Sequence, residues 1–335
     1  MSPINYSIYE DYDAEFNRSD RKNRRKRKQK AVHVPKRDES DVIESLTETL
    51  EGLEGGFKTT YTPSRFEATW LLSSLQTFYE RQYINDVLAL VRGGKEATVY
   101  RCEAHPQTGE SFVAAKVYRP KMFRNIRNDA QYREGRAILL ESGREAKAND
   151  KRMIKALGKR TDFGDLLIQS SWLMYEYTSL QRLHEAGADV PKPFAQSSNA
   201  IIMGYVGDAS QAAPTLSDTR LTQNEAKTLY QKVMMNIEIM LKNGIIHGDL
   251  SAYNILYWEG EMTIIDFPQY VSPESNRAAK SIFMRDIERI CMYFNGYGMH
   301  LDAEKIGSNL WTSFFSHRHF DELADASRFE ITEEY

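Results

Sequence analysis

Cysteine and long apolar runs are both scarce in this sequence. Only Cys102 and Cys291 occur among 335 residues, and they lack the spacing of a zinc site or a redox pair, so neither a disulfide framework nor a structural metal is expected. No segment approaches the ~18 consecutive apolar residues that span a bilayer. The acidic N-terminus also lacks the basic and then apolar order of a signal peptide. We therefore expect a cytoplasmic protein that does not enter a membrane.

A large net charge is absent too, but the charge is unevenly distributed. The formal net charge is −3, whereas eight of the ten residues from Arg21 to Lys30 are basic. Residues 1–57 are rich in charge and poor in apolar periodicity, which predicts a disordered or weakly helical N-terminal extension. Its basic run either binds RNA phosphates through counterion release or is an ordinary solvated tail.

The rest of the chain has the length and pattern of two globular lobes. An amphipathic helix is predicted in "PSRFEATWLLSSLQTFYERQYI", and the runs "VLALV", "TVYRCEA" and "SFVAAKVYRP" predict a small antiparallel sheet. Residues 58–207 are therefore predicted to form an N-lobe with a leading helix and a charged, flexible insertion over 122–170. Residues 208–335 are predicted to form a helical C-lobe, in which Thr222 and Glu225 make a capping box. The predicted fold class is α+β.

The segment "IIHGDLSAYNIL" carries the strongest chemical signal. A turn after a helix presents Asp249, and a hairpin turning at Glu259-Gly260 returns Asp266 to the same edge. One carboxylate then orients or deprotonates an attacking hydroxyl or water, while Asn254 and Asp266 hold Mg²⁺, which prefers oxygen ligands. Taken singly, Asp and Asn in turns usually serve as caps. The Asp-x4-Asn spacing, the preceding His and an apolar strand ending in Asp together favour catalysis.

A second group of residues lies upstream and indicates nucleotide binding. In "RGGKEATVY", Gly93 and Gly94 permit close backbone approach to phosphates and Lys95 adds positive charge, although two adjacent glycines are more often simply a turn. In "VAAK", strand alternation predicts a buried Lys116, which needs a charged partner. Glu176 on the following helix is the best candidate. Such a pair fixes a lysine toward nucleotide phosphates, and a purely structural salt bridge is the alternative.

In this combination the sequence resembles the RIO family of atypical protein kinases and ATPases, from about Asp86 to Phe315. "GGKEATVY" resembles the family's phosphate-binding loop, "VAAKVYR" its lysine strand and "WLMYEYTSLQRLHEAG" its glutamate helix. "IIMGYVG" resembles its interlobe hinge, "HGDLSAYNIL" its catalytic loop and "IIDFPQ" its metal loop. The resemblance implies a two-lobed, protein-kinase-like fold with a small antiparallel-sheet N-lobe and a mainly helical C-lobe.

The resemblance also implies roles for individual residues. Asp249 would be the catalytic aspartate, Asn254 and Asp266 the metal ligands, and Lys116 with Glu176 the pair that positions the phosphates of ATP. In the family the metal-loop aspartate can become phosphorylated during ATP turnover, which implies an aspartyl-phosphate at Asp266.

The hinge and the branch of the family follow from the same resemblance. Backbone groups near Gly204 and Val206 would hold adenine. The chain departs from the family pattern at Arg92, where Ser or Gly is usual, and at Gly204, where an acidic residue is common. The insertion and catalytic loop look type-one-like, whereas "IDFPQ" is a type-two feature. Family resemblance further implies a ribosomal precursor particle as a partner.

Two features of peptide-directed kinases are missing. Gly248 stands before the catalytic aspartate, where such kinases have an arginine that reads a phosphorylated activation loop, and no Ala-Pro-Glu motif follows "DFPQYVSPES". Arg285 and Asp286, in "FMRDIERICMYF", either brace the catalytic loop or form an ordinary charge pair on a helix surface. The missing features put recognition of extended peptide substrates in doubt.

The function we expect is Mg-dependent transfer of the ATP γ-phosphate to protein Ser or Thr, to the chain itself or to water. The balance between kinase and ATPase activity is left open. One alternative is a small-molecule kinase of the aminoglycoside or choline type, which also uses "HGDL", a downstream Asn and an "ID" metal loop. Another is a nucleotide-sensing binding scaffold, which the presence of every expected carboxylate disfavours.

Overall fold

The structure is a computed structural model that describes residues 57, 59–94, 97–118, 139 and 162–326. The basic run Arg21 to Lys30, Lys95 and most of the predicted insertion lie outside these residues. The chain divides into two compact units. One holds the described residues up to Thr178 together with Pro191–Tyr205, and the other holds Ser179–Val190 and the described residues from Val206 onward.

The first unit begins with helix α1, Arg65–Glu80, where an amphipathic helix is predicted. Ser64 is its N-cap, and the Ser64 and Glu67 side chains form a reciprocal capping box that satisfies backbone N–H groups of the first turn. The apolar stripe of α1 buries Leu71, Leu75 and Phe78 completely, in one core with the sheet residues. The helix is therefore an integral part of this unit.

A five-stranded antiparallel sheet forms the rest of this core. Its strands are β1 (Ile84–Gly93), β2 (Ala97–Ala104), β3 (Phe112–Tyr118), β4 (Pro193–Gln196) and β5 (Ala200–Gly204). They lie in the order β1-β2-β3-β5-β4, and all neighbours are antiparallel. The three predicted strands are confirmed as β1, β2 and β3. Strand β4 was not predicted, because it is a short edge strand that begins with Pro193, a residue found mainly at sheet edges.

Helix α2, Asp162–Glu185, follows β3 in the element order. It begins at Asp162, so the last residues of the predicted insertion over 122–170 are helical, and the rest of that insertion stays a prediction. Leu173, Leu180 and Leu183 are buried on its apolar stripe. Gly187 follows the helix with φ 79°, a left-handed conformation that favours glycine at a helix end.

The second unit is mainly helical. Helix α3 spans Gln223–Lys242, and its Thr222–Glu225 capping box is present as predicted. Strands β6 (Ile255–Trp258) and β7 (Glu261–Ile264) form the predicted hairpin. Its turn residues Glu259 and Gly260 have φ of 50° and 87°, the positive values that two-residue hairpin turns require. Helices α4 (Ala279–Asn295) and α5 (Ala303–Ala326) follow and pack on each other, with the Phe283 and Trp311 ring centroids 5.6 Å apart.

The α+β class is confirmed, but the boundary between units differs from the one predicted at 207/208. It lies between Tyr205 and Val206, and the segment Ser179–Val190 belongs to the second unit. One reason is visible in the backbone. The Ile264 N–H of β7 donates to the Asp189 carbonyl at 2.7 Å, so the chain after α2 is tied to the hairpin of the second unit. Among the described helices, none is long and apolar enough to cross a bilayer.

Candidate active site

In the first unit, Lys116 and Glu176 form the predicted ion pair. Lys116 lies on β3, and its Nζ is 2.5 Å from the Glu176 Oε1 of α2. Both side chains are buried, with 10% and 1% of their surfaces exposed. The Tyr118 ring centroid lies 5.3 Å from the same nitrogen. Because desolvation offsets most of the attraction in a buried pair, the pair is weak evidence for stability.

The predicted phosphate loop lies at the turn between β1 and β2. Gly94 closes this turn, since its N–H donates to the Ala97 carbonyl at 2.9 Å. A Cβ at Gly94 would lie only 2.8 Å from that oxygen, whereas a Cβ at Gly93 would have no neighbour within 4 Å. The turn therefore requires glycine at position 94 and tolerates a side chain at 93. Lys95 lies outside the described residues.

The predicted hinge residues end the first unit and begin the second. Gly204 is the last residue of β5, and its N–H donates to the Lys192 carbonyl at 2.8 Å. The Val206 carbonyl accepts the Ala213 N–H at 2.9 Å. Their proposed contacts with adenine stay a prediction.

In the second unit, Asp249 and Asn254 lie together. The Asn254 Nδ2 donates to the Asp249 carbonyl at 2.9 Å and to its Oδ2 at 3.3 Å. Asn254 ends a short 3-10 turn, Ala252–Asn254, that leads into β6. The Asp-x4-Asn spacing therefore closes a loop that brings the carboxylate to the amide.

Hydrogen bonds of Ile265 connect the residue before Asp266 to the same loop. The Ile265 N–H donates to the Asn254 carbonyl at 3.0 Å, and the His247 Nε2 bonds to the Ile265 carbonyl at 3.0 Å. The other ring nitrogen of His247, Nδ1, accepts the Asp249 N–H at 3.3 Å. The buried His247 thus connects Ile265, the residue before Asp266, to the backbone of Asp249.

Asp266 has a backbone conformation that few non-glycine residues adopt. Its φ is 74°, in the left-handed region, which costs energy and occurs preferentially at functional sites. The residue is exposed, whereas the following Phe267 is buried against the His247 ring at a centroid distance of 4.6 Å. The packing of Phe267 therefore holds this loop next to an exposed Asp266.

Helix α4 braces the catalytic loop, which decides between the two interpretations of Arg285 and Asp286. The Asp286 carboxylate accepts the Gly248 N–H at 2.8 Å and the Leu250 N–H at 3.2 Å, and Arg285 donates to the Gly248 carbonyl. Gly248 has φ 84°, which favours glycine at this position. The missing arginine is thus explained locally, because the backbone at position 248 is left-handed and held by α4.

Burial has a marked effect on Asp286. It raises the pKa of the Asp286 carboxyl to about 7, although the Gly248 N–H, Arg285, Arg289 and the Leu250 N–H all oppose the rise. With 2% of the residue exposed, Asp286 is the most buried acid of α4. A group of this kind fixes loop geometry at an energetic cost.

The sequence did not single out Arg289, although it lies within the quoted helix. Its Nη1 is 2.5 Å from the Asp249 Oδ1, with 37% of the Arg289 and 47% of the Asp249 side chain exposed. Arg285 and Arg289 are four residues apart and therefore share a helix face. That spacing was the available signal.

The oxygen donors of the second unit fit Mg²⁺. Asn254 and Asp266 carry side-chain oxygens of the hard type that this cation prefers, and Mg²⁺ usually takes only one or two protein carboxylates, with water and substrate phosphates completing its shell. Within the described ranges no cluster of three or more His, Cys, Asp or Glu side chains is present.

A protein-family model and similar proteins from other organisms indicate the same family for this chain. The model of the RIO domain family matches residues 98–306. The serine/threonine-protein kinase RIO1 of Chaetomium thermophilum is 30% identical over 230 residues, which cover 65% of this chain and 41% of that protein. The RIO-type kinase Rio1 of Thermoplasma acidophilum is 31% identical over 201 residues, which cover 59% of this chain and 93% of that protein. The chain thus spans under half of the first relative and nearly all of the second.

A solved structure, the Rio2 kinase-ADP/Mg²⁺-phosphoaspartate complex from Chaetomium thermophilum, aligns with a TM-score of 0.49 and 20% identity. The alignment covers 78% of this chain and 71% of that one. The family match itself confirms the protein-kinase-like fold, because it runs from β2 to α5 and includes Lys116, Glu176, Asp249, Asn254 and Asp266. More than half of the chain matches the family model, and this chain belongs to the RIO family of atypical serine/threonine kinases as a RIO1-like member.

Proposed function

We propose that this chain is a RIO-type serine/threonine kinase and ATPase that transfers the γ-phosphate of ATP. The observation that carries the proposal is the contact of Asp249 with Asn254, in a loop whose backbone Asp286 holds at two N–H groups. A turn aspartate that only capped a loop would not need this bracing. The described geometry supports a carboxylate held in place for an incoming acceptor.

The chemistry proposed for Asp249 is that of a base. Its carboxylate orients a hydroxyl or water and accepts the proton as the oxygen attacks the γ-phosphorus. One O–P bond forms, the bond from the γ-phosphorus to the bridging oxygen breaks, and ADP leaves with that electron pair. Bound Mg²⁺ would neutralise developing phosphate charge. Asn254 and Asp266 would hold it.

Most of the residues proposed to bind nucleotide belong to the first unit, and Val206 begins the second. The Lys116–Glu176 pair presents an ammonium group in a fixed position, as phosphate binding requires. Gly93, Gly94 and Lys95 would approach the phosphates, and backbone groups near Gly204 and Val206 would hold adenine. The tight Gly94 turn supports the first of these assignments, since a Cβ would not fit there and glycine permits close backbone approach to a phosphate.

The acceptor is proposed to be protein Ser or Thr, the chain itself or water, in part through an aspartyl-phosphate on Asp266. On that route the Asp266 carboxylate attacks the γ-phosphorus and ADP leaves with the electron pair of the broken P–O bond; the acceptor oxygen then attacks the phosphorus and the Asp266 carboxylate leaves. The exposure of residue Asp266 and its strained backbone support this assignment. The named relatives are serine/threonine kinases, which favours a protein acceptor over an aminoglycoside or choline.

The proposal is tested with full-length protein, radiolabelled ATP and Mg²⁺. We expect turnover, acid-labile phosphate that mass spectrometry locates on Asp266, and loss of activity of about 10²-fold or more in Asp249→Ala. The matched control is Glu288→Gln, because Glu288 is an exposed carboxylate on α4. Unchanged turnover in Asp249→Ala would refute the mechanism, and turnover that depends on an added aminoglycoside would favour the small-molecule kinase.

A ribosomal precursor particle, or RNA bound through Arg21 to Lys30, is the partner we propose. Eight basic residues in this run support phosphate contacts. Full-length protein with these residues changed to Gln should lose most of its RNA affinity in a filter-binding assay. The dependence of log affinity on log salt should flatten by roughly 0.7 per lost single-strand contact. Equal affinity and slope for both proteins would exclude RNA binding by this run.

A further inference from the structure

Three side chains of α4 contact one short stretch of the catalytic loop. Asp286 binds the backbone N–H groups of Gly248 and Leu250, and Arg285 binds the Gly248 carbonyl. Arg289, one turn further on, contacts the Asp249 side chain. The first two contacts fix the backbone. They leave rotation about the Asp249 side-chain bonds as the remaining freedom of this residue.

Arg289 and Asn254 together restrict that rotation. The Arg289 Nη1 lies 2.5 Å from Oδ1, and the Asn254 Nδ2 lies 3.3 Å from Oδ2. One donor on each oxygen defines the plane of the carboxylate. Each carboxylate oxygen accepts about two hydrogen bonds, so Asp249 keeps capacity for an acceptor hydroxyl while its orientation is set.

The exposure of the Arg289–Asp249 pair indicates that it contributes little to fold stability. Arg289 and Asp249 have 37% and 47% of their side chains exposed, and ion pairs at this exposure contribute little to folding because water competes and long side chains lose rotamer freedom. Fold stability therefore does not account for the contact. The contact is explained instead by the proposed role of Asp249 as the base.

We propose that Arg289 is a positioning residue that acts through Asp249 and sets the orientation of its carboxylate for the incoming acceptor. The inference rests on the proposed function of Asp249. Arg289 belongs to the helix of the second unit and has no assigned contact with nucleotide. Its loss is therefore expected to lower kcat and to leave the KM for ATP unchanged.

The test compares full-length Arg289→Gln, Arg289→Lys and Lys280→Gln under the same Mg²⁺ and ATP conditions. We expect kcat to fall roughly 10- to 100-fold in Arg289→Gln, since a small misplacement of a reacting group has effects of this size. Lys keeps the charge without the planar fork of Arg, so Arg289→Lys should recover part of the loss. Lys280 is an exposed cation of the same helix, and Lys280→Gln should match the unmodified chain.

A second arm identifies the residue through which Arg289 acts. Arg289→Gln is added to Asp249→Asn and measured in single-turnover assays. Because the proposed effect passes through Asp249, the added substitution should change the residual rate less than about twofold. The melting temperature of Arg289→Gln should also match that of Lys280→Gln, since the pair is exposed.

The outcomes separate this inference from the proposed function. Full turnover in Asp249→Asn would overturn the proposed function and this inference together. Loss of turnover in Asp249→Asn with full kcat in Arg289→Gln would overturn the inference alone. A raised KM for ATP, or an equal loss of rate in both Asp249 backgrounds, would also overturn it, and Arg289→Lys allows the same comparison if Arg289→Gln folds poorly.

Discussion

Each unit carries an ion pair that includes a residue with a proposed role, and these two pairs differ in burial. Lys116 and Glu176 are 10% and 1% exposed, whereas Arg289 and Asp249 are 37% and 47% exposed, although both pairs have a distance of 2.5 Å. Equal distance therefore does not mean equal energetics. A buried charge is costly to leave alone, and an exposed charge is readily hydrated.

The difference in burial indicates different roles: the buried pair fixes the position of Lys116, and the exposed pair sets the orientation of the Asp249 carboxylate. The buried pair is set by two secondary-structure elements, β3 and α2, so the lysine has little freedom and would meet nucleotide phosphates in one position. The exposed pair joins a helix to a loop whose backbone is already held by Asp286. Its role is limited to the direction of one carboxylate, and removal should affect rate more than folding.

The largest expected effect on stability comes from breaking the buried pair. Glu176→Ala leaves the Lys116 ammonium buried without its carboxylate, and such a loss typically lowers the free energy of unfolding by about 3–5 kcal/mol. Denaturant titration of the full chain measures this change. Nucleotide binding should be lost in the same variant, because the ammonium is no longer held in position.

A matched double variant distinguishes stability from function. Lys116→Met with Glu176→Leu replaces the pair by apolar side chains, which is often neutral or stabilising. We expect most of the unfolding free energy to return while ATP affinity stays absent. A loss under about 1 kcal/mol in Glu176→Ala would mean that the two pairs are energetically alike, and the comparison would fail.

Local signals explain which parts of the structure were predictable. Two predicted features depend on residues close together in sequence, and both are confirmed: the capping box of Thr222 and Glu225 and the hairpin turn at Glu259 and Gly260. The contact of Lys116 with Glu176 is long-range, yet a charged residue inside an apolar strand requires a partner. That requirement made the pair predictable.

Other features depend on tertiary packing and left no comparable signal. Strand β4, Pro193–Gln196, has no alternating pattern and exists because β5 provides an edge for it. The contact of Arg289 with Asp249 joins residues 40 apart in sequence, and an arginine on a helix face is compatible with many partners. The left-handed φ of Asp266 is likewise imposed by its neighbours, since few non-glycine residues adopt it alone.

Asp286 extends the comparison of buried and exposed charges. It is buried like Glu176 but is partnered mainly by backbone amides, so we expect a smaller effect on the free energy of unfolding. Asp286→Asn retains one acceptor oxygen and places an amide donor against a backbone N–H. It should lower the free energy of unfolding by about 1–3 kcal/mol, the usual cost of an unsatisfied buried group. Turnover should fall as well, since the Gly248–Leu250 backbone is then less well held. An exposed-site control is Asp302→Asn.

The pH dependence of stability gives an independent test of Asp286. Burial raises its pKa from 3.8 to about 7, so between these values the folded chain binds more protons at this site than the unfolded chain does. The contribution of Asp286 to stability is therefore fully present below pH ~4 and is lost as the pH rises through about 7, with a slope of at most ~1.4 kcal/mol per pH unit. Asp286→Asn should remove this component from unfolding curves measured between pH 4 and 8, while Asp302→Asn retains it. Identical pH profiles for the unmodified chain and Asp286→Asn would show that the carboxyl titrates normally and that its two amide bonds offset its burial.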